Sequence, residues 1–148
     1  MKPRRFLPSR TVHSLLTICL CSSFSSVQAQ TNGTWTTNGP GNWSDSANWS
    51  GATVAGGASA IANFNTLDIA ADHIVTLDAP VTIGTLNVQD ITTTSNSWVF
   101  AGTNAITLDN GASQPVLNIL NRFPIISAPL VGTNGISKTG GGAEIGRA

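Results

Sequence analysis

The sequence predicts an all-β protein, a parallel β-helix (solenoid) segment with a tryptophan-rich cap at its amino-terminal end. Three observations lead to this prediction. Short runs rich in Val, Ile, Thr and Leu alternate with period two from Ile61 onward. Several of these runs recur at an offset of 30 or 31 residues, which is typical of a solenoid. No long apolar stripe with helical spacing and caps is present.

Residues 1–29 are predicted to be a secretory signal peptide. The basic stretch "MKPRRFLPSR" precedes the apolar run "VHSLLTICLC", and small Ala29 ends a V-Q-A triplet. This order of regions predicts cleavage after Ala29 and export. The apolar run is shorter than the roughly 20 residues that a membrane anchor needs. We therefore expect the mature chain to be secreted or placed at the cell surface, with no membrane span of its own.

Cleavage changes the composition of the chain. Four of the seven Lys and Arg residues and both cysteines leave with the signal peptide, so three cationic side chains remain against seven carboxylates, a net charge of −4. This balance provides no basic surface for nucleic acid. The absence of cysteine excludes disulfides and thiolate metal ligands. About 119 residues remain, enough for one domain.

The segment 30–60 is rich in Gly, Asn, Ser and Thr and contains Trp35, Trp43 and Trp49. One interpretation is a cap over the open end of the solenoid, whose strand edges need covering. The other is a carbohydrate-binding module in which these rings stack on sugars. The even spacings would place the three rings on one side of an extended segment. Because Gly39–Gly41 interrupts the run, we favour a folded cap.

The segment 61–148 is predicted to form the windings of the β-helix. "TLNV" recurs as "VLNI" and "VTLD" as "ITLD", both after 31 residues, and "GTNAIT" recurs as "GTNGIS" after 30. Each repeat would supply about one winding, with strands of successive windings paired about 4.8 Å apart. Turn residues such as those in "DAP" and "DNG" separate the runs.

These residues resemble the amino-terminal part of bacterial autotransporter-associated β-strand repeat proteins. The similarity lies in the "W…G.W.D.ANW.G" opening, "AIANFN", "ITLD" and "ISAPLVGTNGISKTGGG". It implies a right-handed β-helix with a structural or adhesive role at the cell surface. The family pattern continues with an apolar strand after "KTGGG", whereas this chain reads "AEIGRA". We therefore expect a truncated fragment with an incomplete final winding, which self-associates through open strand edges.

Candidate catalytic and metal-binding residues are few. Asp78 and Asp109 end the two "TLD" copies; stacked on adjacent windings they would suit calcium, but both precede turn residues and are more simply turn aspartates. His73 is the one histidine after residue 29 and is expected to be a half-exposed strand residue. The remaining cations are Arg122, Lys138 and Arg147. They show no clustering with carboxylates, so we predict a non-enzymatic protein without cofactor or metal, whose partners are surface glycans or other cell-surface components.

Overall fold

The computed structural model describes residues 29–92, 96–121, 123–142 and 145–146. Nearly all of the predicted signal peptide lies outside the described residues, as do Arg122, Glu144 and Arg147. Two short 3₁₀ helices occupy Ser46–Asn48 and Ser50–Ala52. The strands are β1 Gly33–Thr34, β2 Gly41–Asn42, β3 Ile61–Phe64, β4 His73–Thr76, β5 Val81–Ile83, β6 Thr85–Val88, β7 Trp98–Ala101, β8 Ile106–Leu108, β9 Val116–Ile119, β10 Ile125–Ile126, β11 Leu130–Val131, β12 Ser137–Thr139 and β13 Ile145–Gly146.

The strands stack into three parallel sheets. Sheet 1 has the order β1-β3-β6-β9-β12, sheet 2 the order β2-β4-β7-β10-β13, and sheet 3 the order β5-β8-β11. Strands that follow one another in the chain lie in different sheets. Each of the three windings from β3 to β11 adds one strand to every sheet, whereas the first winding contributes β1 and β2 to sheets 1 and 2 only. This confirms the predicted all-β parallel solenoid, and segment 30–60 already supplies its first strands, β1 and β2. The right-handed sense of the winding stays a prediction.

Alternate residues of each strand form the core. In β6, Leu86 and Val88 are buried, whereas Thr85 and Asn87 are only partly covered. The same alternation holds in β9, because its residues pair with those of β6 one to one. Burying a Leu, Ile or Val side chain contributes about 1.5–3 kcal/mol. These inward apolar columns therefore hold successive windings together.

One of the three sequence repeats corresponds to a winding. The "TLNV" and "VLNI" copies pair residue by residue in β6 and β9, which confirms their 31-residue offset. The "VTLD" and "ITLD" copies do not pair, because Val75 lies beside Phe100 in sheet 2 and Ile106 lies beside Val81 in sheet 3. The prediction that they occupy equivalent positions is wrong.

The reason is that the corners between strands differ in length. Paired residues are 20 positions apart for Ile125 and Ile145, but 34 apart for Gly41 and Val75. A fixed sequence period therefore does not describe the stack. The two "GTN" copies likewise follow strands of different sheets, since one comes after β7 and the other after β11.

Glycines form the sharp corners. Gly84 divides "VTIGTLNV", which the sequence presents as one run, into β5 of sheet 3 and β6 of sheet 1. A Cβ at Gly84 would lie 2.6 Å from Ser59 Cα, and one at Gly102 would lie 2.7 Å from the Leu77 carbonyl oxygen. Neither corner has room for a larger residue in this conformation.

The last described strand is β13, within "AEIGRA". It pairs in parallel with β10, Ile145 beside Ile125 and Gly146 beside Ile126. A short strand therefore follows "KTGGG", and the expected incomplete final winding stays a prediction. A two-residue strand needs few side chains of its own, because its backbone groups bond to a neighbour that is already in place.

Candidate functional site: the tryptophan cluster and the asparagine ladder

Trp35, Trp43 and Trp49 converge at the amino-terminal end of the solenoid. Trp35 follows β1, Trp43 follows β2, and Trp49 lies between the two 3₁₀ helices. Their exposed fractions are 0%, 3% and 2%. The Trp49 ring packs edge-on against Trp35 and Trp43 at centroid distances of 5.3 and 5.1 Å, and all three rings contact Phe64 of β3. Aromatic pairs of this kind contribute about 0.5–1.5 kcal/mol beyond their burial.

The polar edge of each ring is also satisfied inside the protein. The indole N–H of Trp35 donates to the Thr37 carbonyl at 2.7 Å, that of Trp43 to the Ala55 carbonyl at 3.0 Å, and that of Trp49 to the Trp43 carbonyl at 2.8 Å. Sugar stacking needs an exposed ring face, and these rings present none. The cluster therefore serves as a cap, and the glycan-stacking interpretation has no support in this conformation.

A small polar network positions Trp49 in the cap. Asp45 Oδ1 accepts from the backbone N–H of Ala47 at 3.0 Å and starts the first 3₁₀ helix. Asn48 is buried, its Nδ2 donates to the Asn42 carbonyl at 3.0 Å, and its Oδ1 accepts from the Thr37 hydroxyl at 2.9 Å. These bonds fold the segment back, so the even spacing of the tryptophans in sequence does not decide where their rings lie.

The two candidate metal ligands are separate turn residues. Asp109 follows β8 and accepts from the backbone N–H of Gly111 at 2.8 Å, which confirms its role in a turn. Asp78 follows β4, and its carboxylate accepts from the backbone N–H of Ser44 at 3.1 Å and from the Ser44 hydroxyl. Slight burial raises the pKa of Asp78, but the bonds from Ser44 and from its own backbone lower it more, so the pKa lies below the usual aspartate value.

His73 is buried, with 9% exposure, and not half-exposed as the sequence predicted. In β4 it points inward together with Val75, and Ile74 points out. Its ring packs edge-on against Trp98 at 5.9 Å, and its Nε2 lies 2.9 Å from Asn38 Oδ1. Because the Asn38 Nδ2 donates to the Asp68 carbonyl, Oδ1 faces the ring and His73 Nε2 is the donor.

The outward face of sheet 1 carries a ladder of side-chain amides, the asparagine ladder. Asn63, Asn87 and Asn118 occupy the same position in β3, β6 and β9. Asn87 Nδ2 donates to Asn63 Oδ1 at 2.7 Å, and Asn118 Nδ2 donates to Asn87 Oδ1 at 3.1 Å. At one end Asn63 donates to the Thr34 hydroxyl at 3.4 Å, and at the other the Thr139 hydroxyl donates to Asn118 at 3.1 Å. The ladder thus crosses all five strands of sheet 1.

The ladder leaves hydrogen-bonding capacity on the outer surface. An asparagine amide has two N–H groups and two oxygen lone pairs, and the ladder bonds use about half of these. The outward residues two positions earlier are Ile61, Thr85 and Val116, so the outward positions of β3, β6 and β9 carry no charge. Rows repeat about every 4.8 Å across the strands and about every 6.7 Å along them. The face is a neutral grid of amides flanked by apolar and hydroxyl groups.

The sequence contains a signal for the asparagine ladder. "IANF", "TLNV" and "VLNI" share an Asn at their third position. The signal requires the true register, because "IANF" precedes "TLNV" by 24 residues, whereas "VLNI" follows it by 31. A search for one fixed offset finds only the second pair.

The rest of the described part offers neither a metal centre nor a membrane helix. No group of three or more His, Cys, Asp or Glu side chains among the described residues is placed to hold a metal ion. No described helix is both long and apolar enough to cross a membrane. The molecule is thus defined as a small parallel β-solenoid with an aromatic cap and an amide ladder. No family model, curated protein or solved structure matches the chain.

Proposed function

We propose that the mature chain is a non-enzymatic, exported β-solenoid with a structural or adhesive role at the cell surface, and that the outer face of sheet 1 contacts its partner. The observation that carries this proposal is the asparagine ladder across five strands. The sequence resemblance to autotransporter-associated β-strand repeat proteins supports the exported, surface-located part.

The chemistry of the face favours binding over catalysis. Its polar groups are amides and hydroxyls, which donate and accept hydrogen bonds and do not titrate near neutral pH, and a hydroxyl becomes a nucleophile only beside an activating base. The uncharged grid favours a neutral, hydroxyl-rich partner over a strongly charged one. A neutral polysaccharide of a cell surface fits this description, since its hydroxyl groups complement both the amide donors and the amide acceptors.

The ladder also keeps the face rigid. Asn87 is bonded to the rung on either side of it, and each such bond contributes about 0.5–1.5 kcal/mol net. A side chain that is already fixed loses little conformational entropy when a ligand binds. Many weak contacts repeated along such a face add up to useful affinity through multivalency.

The proposal is tested by co-sedimentation of the mature chain, residues 30–148, with insoluble neutral polysaccharides such as chitin, cellulose and mannan. Thr85→Arg places a bulky charge on the face without removing a ladder residue. Thr107→Arg is the matched control, because Thr107 occupies an outward position in β8 of sheet 3. We expect at least one polysaccharide to retain the unaltered chain, with about tenfold weaker retention, or about 1.4 kcal/mol, for Thr85→Arg only.

Two results would contradict the proposal. Equal losses for Thr85→Arg and Thr107→Arg would show that the face has no special part in retention. The absence of retention on every neutral polymer would remove the adhesive role through this face. Circular dichroism and tryptophan fluorescence of both variants establish that the solenoid is intact, so that misfolding is not mistaken for lost binding.

A further inference from the structure

The chain contains four Asn–Gly pairs, which are the dipeptides most open to spontaneous deamidation because glycine has no side chain to hinder its backbone nitrogen. They are Asn32–Gly33, Asn38–Gly39, Asn110–Gly111 and Asn134–Gly135. The structure places them in very different surroundings, so their reactivities should differ even though their local sequences are alike.

The reaction sets two geometric requirements. The backbone nitrogen of the glycine attacks Cγ of the asparagine; a new C–N bond forms, the Cγ–Nδ2 bond breaks, and ammonia leaves with the glycine N–H proton. Water then opens the resulting cyclic imide at either carbonyl, leaving an aspartyl or isoaspartyl residue. The asparagine side chain must therefore be free to turn, and the glycine N–H must not be held elsewhere.

Two of the pairs lie in the first winding, and the fold restrains both. Asn32 Oδ1 accepts from the backbone N–H of Ile61 at 2.8 Å, and Gly33 belongs to β1, which pairs with β3. Asn38 is bonded at both ends of its amide, through Nδ2 to the Asp68 carbonyl at 3.1 Å and through Oδ1 to the ring of His73 at 2.9 Å. Each pair is thus restrained at two points, Asn32–Gly33 through one amide bond and a glycine fixed in a strand, and Asn38–Gly39 through both ends of the asparagine amide.

The third pair is restrained at its nucleophile. The Gly111 N–H donates to Asp109 Oδ1 at 2.8 Å, so the attacking nitrogen is held by a carboxylate. Asn110 is also fixed, since its Nδ2 donates to the Gln114 carbonyl at 3.1 Å and its backbone bridges to Ser113. Both reacting groups of this pair are therefore occupied.

The fourth pair differs. Asn134 and Gly135 lie on an exposed corner between β11 and β12, and every residue from Gly132 to Ile136 is exposed. No described residue accepts a hydrogen bond from the Gly135 N–H, and the Asn134 side chain makes a single bond, from Nδ2 to the Gly111 carbonyl at 2.9 Å. We propose that Asn134–Gly135 is a self-modifying site at which the folded protein deamidates selectively.

The modification changes the corner between β11 and β12. Asn134 joins this corner to the corner at Gly111, one winding earlier. An aspartate or isoaspartate has no N–H to donate, and its carboxylate would face the Gly111 carbonyl oxygen. The same corner carries Ile136 over an apolar pocket of about 170 Å³ that Leu108 and Leu130 also line. Deamidation should therefore loosen the corner and open the apolar pocket beneath Ile136.

The test is peptide mapping by mass spectrometry after incubation of the mature chain in mildly alkaline buffer, with and without denaturing urea. Deamidation adds about 1 Da and splits the peptide into aspartyl and isoaspartyl forms. In urea we expect the four sites to react at similar rates. In the native buffer we expect Asn134 to keep most of its rate and the other three to slow by about tenfold or more, since reaction there requires local opening.

Another asparagine reacting first, four equal rates in the native buffer, or protection of Asn134 as strong as that of the others would each overturn the proposal. Asn134→Gln is the matched control, because it keeps an amide but disfavours the five-membered imide. After equal ageing, hydrogen exchange in β12 should become faster in the unaltered chain and not in Asn134→Gln. Equal exchange in both aged proteins would overturn the loosening of the corner.

Discussion

Trp49 donates its indole N–H to the backbone carbonyl of Trp43 at 2.8 Å, while its ring packs edge-on against the Trp43 ring at 5.1 Å. The two residues therefore depend on each other for both packing and hydrogen bonding. Trp43 also reaches deeper, since its ring lies 5.6 Å from Phe64 and 6.4 Å from Phe100 of β7. The cap is thus continuous with the core of the next windings.

Replacing Trp43 by alanine should destabilise the whole solenoid. Removal of a buried aromatic side chain costs about 3–5 kcal/mol, a large share of the stability of a small domain. Trp43→Phe keeps a ring but loses the bond to the Ala55 carbonyl, so a smaller loss is expected. Urea denaturation followed by circular dichroism measures both variants. A Trp43→Ala variant as stable as the unaltered chain would mean that the cap contributes nothing to the fold.

The asparagine ladder should contribute measurably to stability. Asn87→Ala removes two ladder bonds and leaves the facing groups of Asn63 and Asn118 without their partner. We expect a loss of about 1–3 kcal/mol in the free energy of unfolding. Thr107→Ala, outward on sheet 3, is the control and should change stability by less than about 0.5 kcal/mol. Equal effects of the two substitutions in the same denaturation experiment would show that the ladder bonds make no net contribution to stability.

The sequence predicts the solenoid and the strands from β4 to β11 because their apolar alternation is local. "HIVTLD" becomes β4, and "TLNV" and "VLNI" become β6 and β9. The short strands β1 and β2 escaped prediction, since Gly33–Thr34 and Gly41–Asn42 carry no apolar pattern and form only beside strands that come later in the chain.

Contacts between residues that are distant in sequence decide which face of a strand points inward. They also set the register between strands. In "HIVT", period two fits either face, and the pairing of Asn38 and Trp98 with His73 decides that the histidine points inward. The ladder likewise depends on corner lengths that composition does not encode. What the sequence leaves open is therefore the relation between windings, on which the candidate binding face depends.

Gly140 should tolerate no side chain. Its φ is +78°, and a Cβ there would overlap the Ile119 carbonyl oxygen of the preceding winding. Gly140→Ala should detach β12 from β9, with a cost of about 1–3 kcal/mol from backbone strain together with the bonds lost. Gly51→Ala is the control for strain alone, because φ is +61° but the nearest atom, Thr53 Oγ1, is 3.8 Å away. Hydrogen exchange should show fast amides in β12 only for Gly140→Ala. Equal protection of β12 in both variants would contradict this prediction.

The Asp78–Ser44 contact should make the free energy of unfolding depend on pH in the acidic range. Because the folded pKa of Asp78 lies below its usual value, the contact stabilises the folded state above the unfolded pKa, about 3.9. That contribution disappears as the pH falls through the folded pKa. Carbon NMR titration of the Asp78 carboxyl should give a higher pKa in Ser44→Ala than in the unaltered chain. An unchanged pKa would show that Ser44 is not the cause of the shift.

The last prediction concerns Lys138, which occupies an inward position in β12. It lies beside Leu117 in the column that contains Ala62 and Leu86 in the earlier strands, yet it is exposed and donates to the Gly140 carbonyl at 3.3 Å. Among the described strands, β12 lies at one edge of sheet 1. A charge in an inward position of an edge strand opposes pairing with another chain, because the ammonium group would lose its water.

Lys138→Leu should therefore promote association between molecules. We expect its sedimentation coefficient to rise with protein concentration, whereas Lys138→Arg keeps the charge and should behave like the unaltered chain. Ser137→Leu adds the same side chain on the outward face of the same strand. This variant distinguishes pairing at the sheet edge from nonspecific hydrophobic association. If Ser137→Leu associates as strongly as Lys138→Leu, or if Lys138→Leu associates no more than Lys138→Arg, then the charge of Lys138 does not oppose pairing of β12 with another chain.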